Sequence, residues 1–94
     1  SLERYQGVAP RAVRDAGEGF YAVRGRIRGI KRTRRSVWLD MGYDFALRIA
    51  KDDLPQFRNM TPESLRRKNV LALGWVNLQN GPRMRIRHPS QLEV

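Results

Sequence analysis

The stretch Val23-Arg24-Gly25-Arg26-Ile27-Arg28-Gly29-Ile30-Lys31-Arg32-Thr33-Arg34-Arg35 decides how this chain is read. Arg24, Arg26 and Arg28 alternate with Val23, Gly25 and Ile27, and alternation with period two is the signature of a β-strand, not of a helix. Such a strand sends small and apolar groups into a core and guanidiniums to the opposite face. Lys31, Arg32, Arg34 and Arg35 then carry the positive charge into a loop, and no carboxylate interrupts residues 24–35. A basic face running into a basic loop is the electrostatic footprint of a polyanion partner, of which nucleic acid is the usual one.

The whole chain leans the same way. Its 94 residues carry a formal net charge of +10, with a pI near 11.4. Most of the excess is Arg, whose planar fork matches phosphate and stacks on bases. The length fits one domain with one core. There is no cysteine, so neither a disulfide framework nor a thiolate metal site is available. No apolar run approaches the about 18 residues of a membrane span, and no signal peptide is visible. The chain begins at Ser1 without Met, which reads as an excised fragment or a processed tag.

Outward from the opening stretch, residues 1–18 read as a lead-in or linker, with a short helical turn starting near Pro10 and ended by Gly17 and Gly19. Residues 19–94 form the domain. The first strand runs from Phe20 to Lys31, with Gly25 and Gly29 as bends and Ile30 out of phase with Ile27 across a bulge. Ser36–Met41 alternates Val37, Leu39 and Met41 against Ser36, Trp38 and Asp40. After the tight turn Gly42-Tyr43-Asp44, Phe45, Leu47 and Ile49 face inward and Arg48 outward, so these two strands read as a hairpin. Residues 52–68 read as a helical connection: Asp52 and Asp53 open one turn, and Thr61-Pro62 starts a second. The strand Asn69–Leu78 is apolar on both faces. Asn80-Gly81 signals a turn into the last strand, where Met84 and Ile86 point inward and Arg83, Arg85 and Arg87 outward. Three strands, a helical connection and two strands predict a mainly β domain: a five-stranded, partly open barrel of OB type, with the helical connection between strands three and four.

An ordered series of motifs carries a family likeness: Val23-Arg24-Gly25-Arg26-Ile27, Ser36-Val37-Trp38-Leu39-Asp40, Phe45-Ala46-Leu47-Arg48-Ile49-Ala50, Gly74-Trp75-Val76, Asn80-Gly81-Pro82 and His88-Pro89-Ser90-Gln91-Leu92-Glu93. The series, over about residues 20–94, resembles the OB-like domain that follows the catalytic domain in many bacterial proteins of the thermonuclease (staphylococcal-nuclease-like) family. That family's catalytic domain carries Asp-Gly-Asp-Thr and Val-Asp-x-Pro-Glu motifs, two catalytic arginines and a calcium ion. None of those motifs occurs here, so the likeness carries no nuclease chemistry onto any residue. It implies an accessory domain of a longer protein.

A barrel of this type binds single strands across a sheet face framed by two loops, here Lys31–Arg35 and Gln79–Pro82. The expected nucleic-acid-binding set is Arg24, Arg26, Arg28, Lys31, Arg32, Arg34, Arg35, Trp38, Arg48, Arg83, Arg85 and Arg87. In it, Arg24, Arg26 and Arg28 line up beside Arg48 with Trp38 between. Two readings stand for Trp38, a base-stacking platform and a half-buried aromatic covering the sheet. Two also stand for Arg83, Arg85 and Arg87, a continuation of the basic surface and a solvated strand edge that discourages aggregation. Trp75 reads as core, or as packed on the helical connection. Arg66, Arg67 and Lys68 read as the cationic end of a helix.

No catalytic set emerges. His88 is the only histidine and stands without companion ligands; it reads as a hydrogen-bonding group at a barrel end, and no metal or cofactor is expected. Asp40, Asp44, Asp52 and Asp53 are explained by turns and caps. The expectation is a sequence-nonspecific binder of single-stranded DNA or RNA, not an enzyme, accessory to a nuclease domain outside this chain. The alternative is a structural module that docks on that catalytic domain or on an acidic protein, with Trp38 and Trp75 as anchors.

Overall fold

A computed structural model describes residues 6–94; residues 1–5 of the lead-in lie outside the described residues. The chain is mainly β. Among the described residues, seven strands share one sheet: β1 (Gly19–Arg26), β2 (Gly29–Arg32), β3 (Ser36–Asp40), β4 (Ala46–Ala50), β5 (Asn69–Asn77), β6 (Arg83–Arg85) and β7 (Leu92–Glu93). Their spatial order is β1-β5-β6-β4-β3-β2, with β7 alongside β5. β4 and β6 run parallel and the other pairs antiparallel. The expected count was five. The difference arises because the long opening strand divides at Ile27–Arg28, and because the C-terminal Leu92–Glu93 adds a short strand.

The division has a visible cause. Ile27 and Ile30 both pack with the core, so two residues must be passed between inward positions where a regular strand passes one. At the break the backbone changes partners. Ile27 donates to the carbonyl of Lys68 (2.9 Å), and Arg28 donates to that of Asp40 (2.7 Å). Before it β1 pairs with β5; after it β2 pairs with β3.

The inward positions follow the alternation. Val23, Ile27, Leu39, Leu47, Ile49, Val76 and Met84 are fully buried. Two glycines are required by packing. A Cβ on Gly25 would stand 2.9 Å from both Met41 Cε and Pro10 Cγ, and one on Gly74 would stand 2.8 Å from Met84 Cγ. Gly25 and Gly74 thus mark closely packed points of β1 and β5.

The lead-in joins the same core. Pro10 opens a short helix α1 (Pro10–Ala16), closed by Gly17 at φ 92°. Val13 of α1 is fully buried in the cluster. Val8 lies along the outer edge of β1, donating to Ala22 O (2.8 Å) and accepting from Arg24 N (2.9 Å). The connection between β4 and β5 is not α-helical. It consists of two 3-10 stretches, Lys51–Phe57 and Pro62–Leu65. Pro55 inside the first and Pro62 at the start of the second limit each to a short run. Thr61 Oγ1 caps the second by accepting from Ser64 N (3.3 Å). Asp52 and Asp53 supply no cap to the first. Phe57 and Leu65 plug the core from this side.

At the C-terminal end His88 Nδ1 accepts from Ser90 N (3.0 Å). Gln91 completes a capping box around Pro89–Gln91. Its Nε2 donates to the carbonyls of Leu73 (2.9 Å) and Arg85 (3.3 Å), tying β5 to β6 where they diverge.

Candidate nucleic-acid interface

Registry builds one row of side chains across four strands. Lys31 of β2 stands opposite Trp38 of β3, Trp38 opposite Arg48 of β4, and Arg48 opposite Arg85 of β6. Directly opposed residues share a face, and the adjoining residues Leu39, Leu47 and Met84 are fully buried, so this row is the outer one. The next outward row is Gly29, Asp40, Ala46 and Arg83.

Trp38 is half-buried in this surface. The Arg83 guanidinium lies 4.8 Å from its ring centroid and that of Arg48 lies 5.9 Å away, both within cation–π range. Each arginine is also anchored elsewhere. Arg48 Nε donates to the Oγ of the buried Ser36 (2.7 Å), and Arg83 Nη2 donates to Asn80 O (3.1 Å). Arg85 Nη2 donates to Asp53 (3.1 Å). The row therefore combines an indole with guanidiniums whose positions are set before any ligand arrives, and fixed side chains lose less entropy on binding.

Grooves open on both sides of Trp38. One is lined by Gly29, Ile30, Lys31, Asp40, Ala46, Pro82 and Arg83, with Asn80 and Asp44 at its end. The other is lined by Thr33, Arg34, Arg35, Ser36, Arg48 and Arg83. It continues toward Lys51, Asp52 and Arg85. Both loops expected to frame a binding face, Lys31–Arg35 and Gln79–Pro82, contribute to these walls.

The expected residues do not all converge here. Lys31, Arg34, Arg35, Trp38, Arg48, Arg83 and Arg85 come together. Arg24 and Arg26 do not stand beside Trp38 as expected. They lie on β1, where their cross-strand partners are Leu71 and Asn69 of β5, and Arg24 Nε donates to Gln6 O (3.2 Å). Arg28 sits at the strand break with its side chain along Gly42. Arg32 faces Glu63 at 4.0 Å, and Arg66 pairs with the same carboxylate at 3.3 Å. Arg87 is exposed beyond the end of β6, its backbone N–H donating to Gln91.

Trp75 is a second correction. It is neither core nor covered by the connection: it is 60% exposed, and its cross-strand partner Phe20 is 62% exposed. The alternation that turns Arg24 outward turns Phe20 outward too, and that signal was available in the sequence. Asp44 is more than a turn residue, since it forms an ion pair with Arg14 of α1. Among the described residues no group of three or more histidine and carboxylate side chains is placed to hold a metal ion, and no helix is long and apolar enough to cross a membrane.

Compared with known proteins, the chain matches no family model, no curated protein and no solved structure.

Proposed function

We propose that this domain binds single-stranded nucleic acid along the Trp38 grooves, with little sequence preference in its phosphate contacts. The observation that carries the reading is the pre-set stack of Arg83 and Arg48 against the Trp38 indole, with Arg34 and Arg35 on the neighbouring wall. Guanidiniums and an aromatic face at one place supply the two things an unpaired strand needs, phosphate neutralisation and a planar surface for a base. Arg34 and Arg35 are exposed and steer the polyanion, while Arg48 and Arg83 receive it.

The sheet is read, as part of this proposal, as an OB-type arrangement in which β1 and β2 are two halves of one bent strand. What supports it is that the two ends of the strand path are separated in sequence only by Ile27 and Arg28. On that reading the grooves lie on the face such folds use, and the domain serves as an accessory unit that raises the local substrate concentration of a nuclease domain outside this chain.

The experiment is a titration of the protein with fluorescein-labelled single-stranded octamers at low salt, followed by anisotropy and by Trp fluorescence. Binding with strong salt dependence is expected. A flat titration at about 20 mM salt, where phosphate contacts are strongest, rejects the reading.

One observation favours a second reading, a docking module. Phe20 and Trp75 form an exposed aromatic pair on a different strand pair from Trp38, and exposed aromatics of this kind anchor protein interfaces. The partner would be a catalytic domain or another protein with an acidic surface. An unaltered octamer titration in a Phe20→Ser/Trp75→Ser variant separates this surface from the nucleic-acid groove.

A further inference from the structure

The two grooves flanking Trp38 differ in charge. Arg34, Arg35, Arg48 and Arg83 line one without a carboxylate. The other sets Asp40 and Asp44 against Lys31 and Arg83, over the apolar surfaces of Gly29, Ile30, Ala46 and Pro82. Its volume, about 540 Å³, lies in the range of small-ligand sites. A phosphodiester backbone is drawn more strongly to the first groove, whose charges are all positive, than to the second, where the carboxylates offset Lys31 and Arg83. What the second can take is a neutral, flat group that donates hydrogen bonds.

Asp40 is placed to accept them. It follows Trp38 by two residues and so shares its outward face. Its Oδ1 accepts from Gly42 N (2.9 Å), which holds the carboxylate in one orientation. Among the described residues it makes no ion pair, whereas Asp44 is engaged by Arg14.

Resting on the nucleic-acid reading above, we propose that Asp40 reads the edge of the base held against Trp38, favouring bases with an exocyclic amino group over uracil and thymine. Cytosine offers its N4 amino group to the carboxylate, a pairing of known use in base recognition. Uracil turns O4 toward it instead, and its only ring donor, N3–H, is flanked by two carbonyl oxygens that oppose a negative charge. The phosphate contacts stay indifferent to sequence, so the discrimination is confined to one nucleotide of the bound strand.

The test compares labelled dC8 and dU8, which share a backbone and differ at one edge of the base. Wild-type protein is expected to bind dC8 about five- to tenfold more tightly, the lower end of what one base-edge contact discriminates. Asp40→Asn keeps an oxygen acceptor for Gly42 N and removes the charge. It is expected to bring the two affinities within about twofold, chiefly by improving dU8, because a repulsive charge is lost. A ligand-side measurement leaves the protein untouched: an octamer of N4,N4-dimethylcytosine lacks the donor and is expected to bind no better than dU8. Equal wild-type affinity for dC8 and dU8, a ratio that survives in Asp40→Asn, or undiminished binding of the dimethylated octamer overturns the proposal while leaving groove binding intact. Failure of wild-type protein to bind either octamer overturns the nucleic-acid reading itself.

Discussion

Replacing Arg48 and Arg83 together by Gln removes two of the four cations, Arg34, Arg35, Arg48 and Arg83, that line the carboxylate-free groove. If each of the four neutralises one phosphate, the slope of log K against log salt is about −2.8 for a single strand, and affinity falls about 50-fold between about 50 and 200 mM salt. With two contacts left the slope halves to about −1.4, and the same salt step costs only about sevenfold. At about 50 mM salt the two lost contacts lower affinity about 60-fold, or about 2.4 kcal/mol. Anisotropy of a labelled octamer at four salt concentrations gives both quantities. Arg24→Gln/Arg26→Gln is the matched control: it changes net charge equally but acts on β1, opposite Leu71 and Asn69, and its slope should stay near −2.8. Stability must be followed in parallel. Arg48→Gln loses the bond to Ser36 Oγ, and Arg48→Gln and Arg83→Gln each remove a cation–π contact with Trp38; each kcal/mol shifts the melting temperature by about 4–8 °C in a domain of this size. Equal loss of slope in the two double variants would mean that overall charge, not this groove, drives binding.

Three further outcomes follow from the fold. Val13→Ala removes two methyl groups from a fully buried site on α1 and should destabilise the domain by about 2 kcal/mol in urea unfolding, marking the lead-in helix as part of the cooperative unit; no change would mean that α1 is not. Gly74→Ala places a Cβ against Met84 Cγ and should cost about 1–3 kcal/mol by overpacking, with β5 and β6 amide exchange accelerated; unchanged exchange would contradict the crowding. Phe20→Ser/Trp75→Ser removes the exposed aromatic pair and should shift stability by less than about 1 kcal/mol while improving solubility, as expected of a surface that is not core.

Much of this was legible in the sequence. Period-two alternation located inward residues of three strands, Val37 and Leu39, Leu47 and Ile49, Met84 and Ile86, all buried. It also gave the outward direction of Trp38, Arg48, Arg83 and Arg85, because parity is a local property of the chain. What parity does not carry is which strand lies next door. Arg24 and Lys31 belong to one run of sequence, yet the backbone changes partners at Ile27–Arg28, so only the second half meets Trp38. That switch depends on leaving residues 69–77, far away along the chain, for the neighbouring residues 36–40. Trp75 illustrates a different gap. An apolar residue on the second face of an apolar strand reads as covered, but covering needs an element long enough to reach it. The connection supplies only short 3-10 stretches, whose Phe57 and Leu65 enter the core elsewhere. The part played by Asp40 was hidden for a similar reason. Its turn-forming bond to Gly42 explains it locally, and its place on a groove wall appears only when Asn80 and Pro82 close in from the other end of the chain.

The most direct test of the groove as the binding surface is chemical-shift mapping on labelled protein with dC8 at low salt. Expected are perturbations of the Trp38 indole N–H and of the backbone amides of Lys31, Arg34, Arg35, Arg48 and Arg83, with those of Phe20, Ala22 and Trp75 unmoved. Shifts confined to the β1–β5 face, or none at all at saturating oligonucleotide, would contradict it.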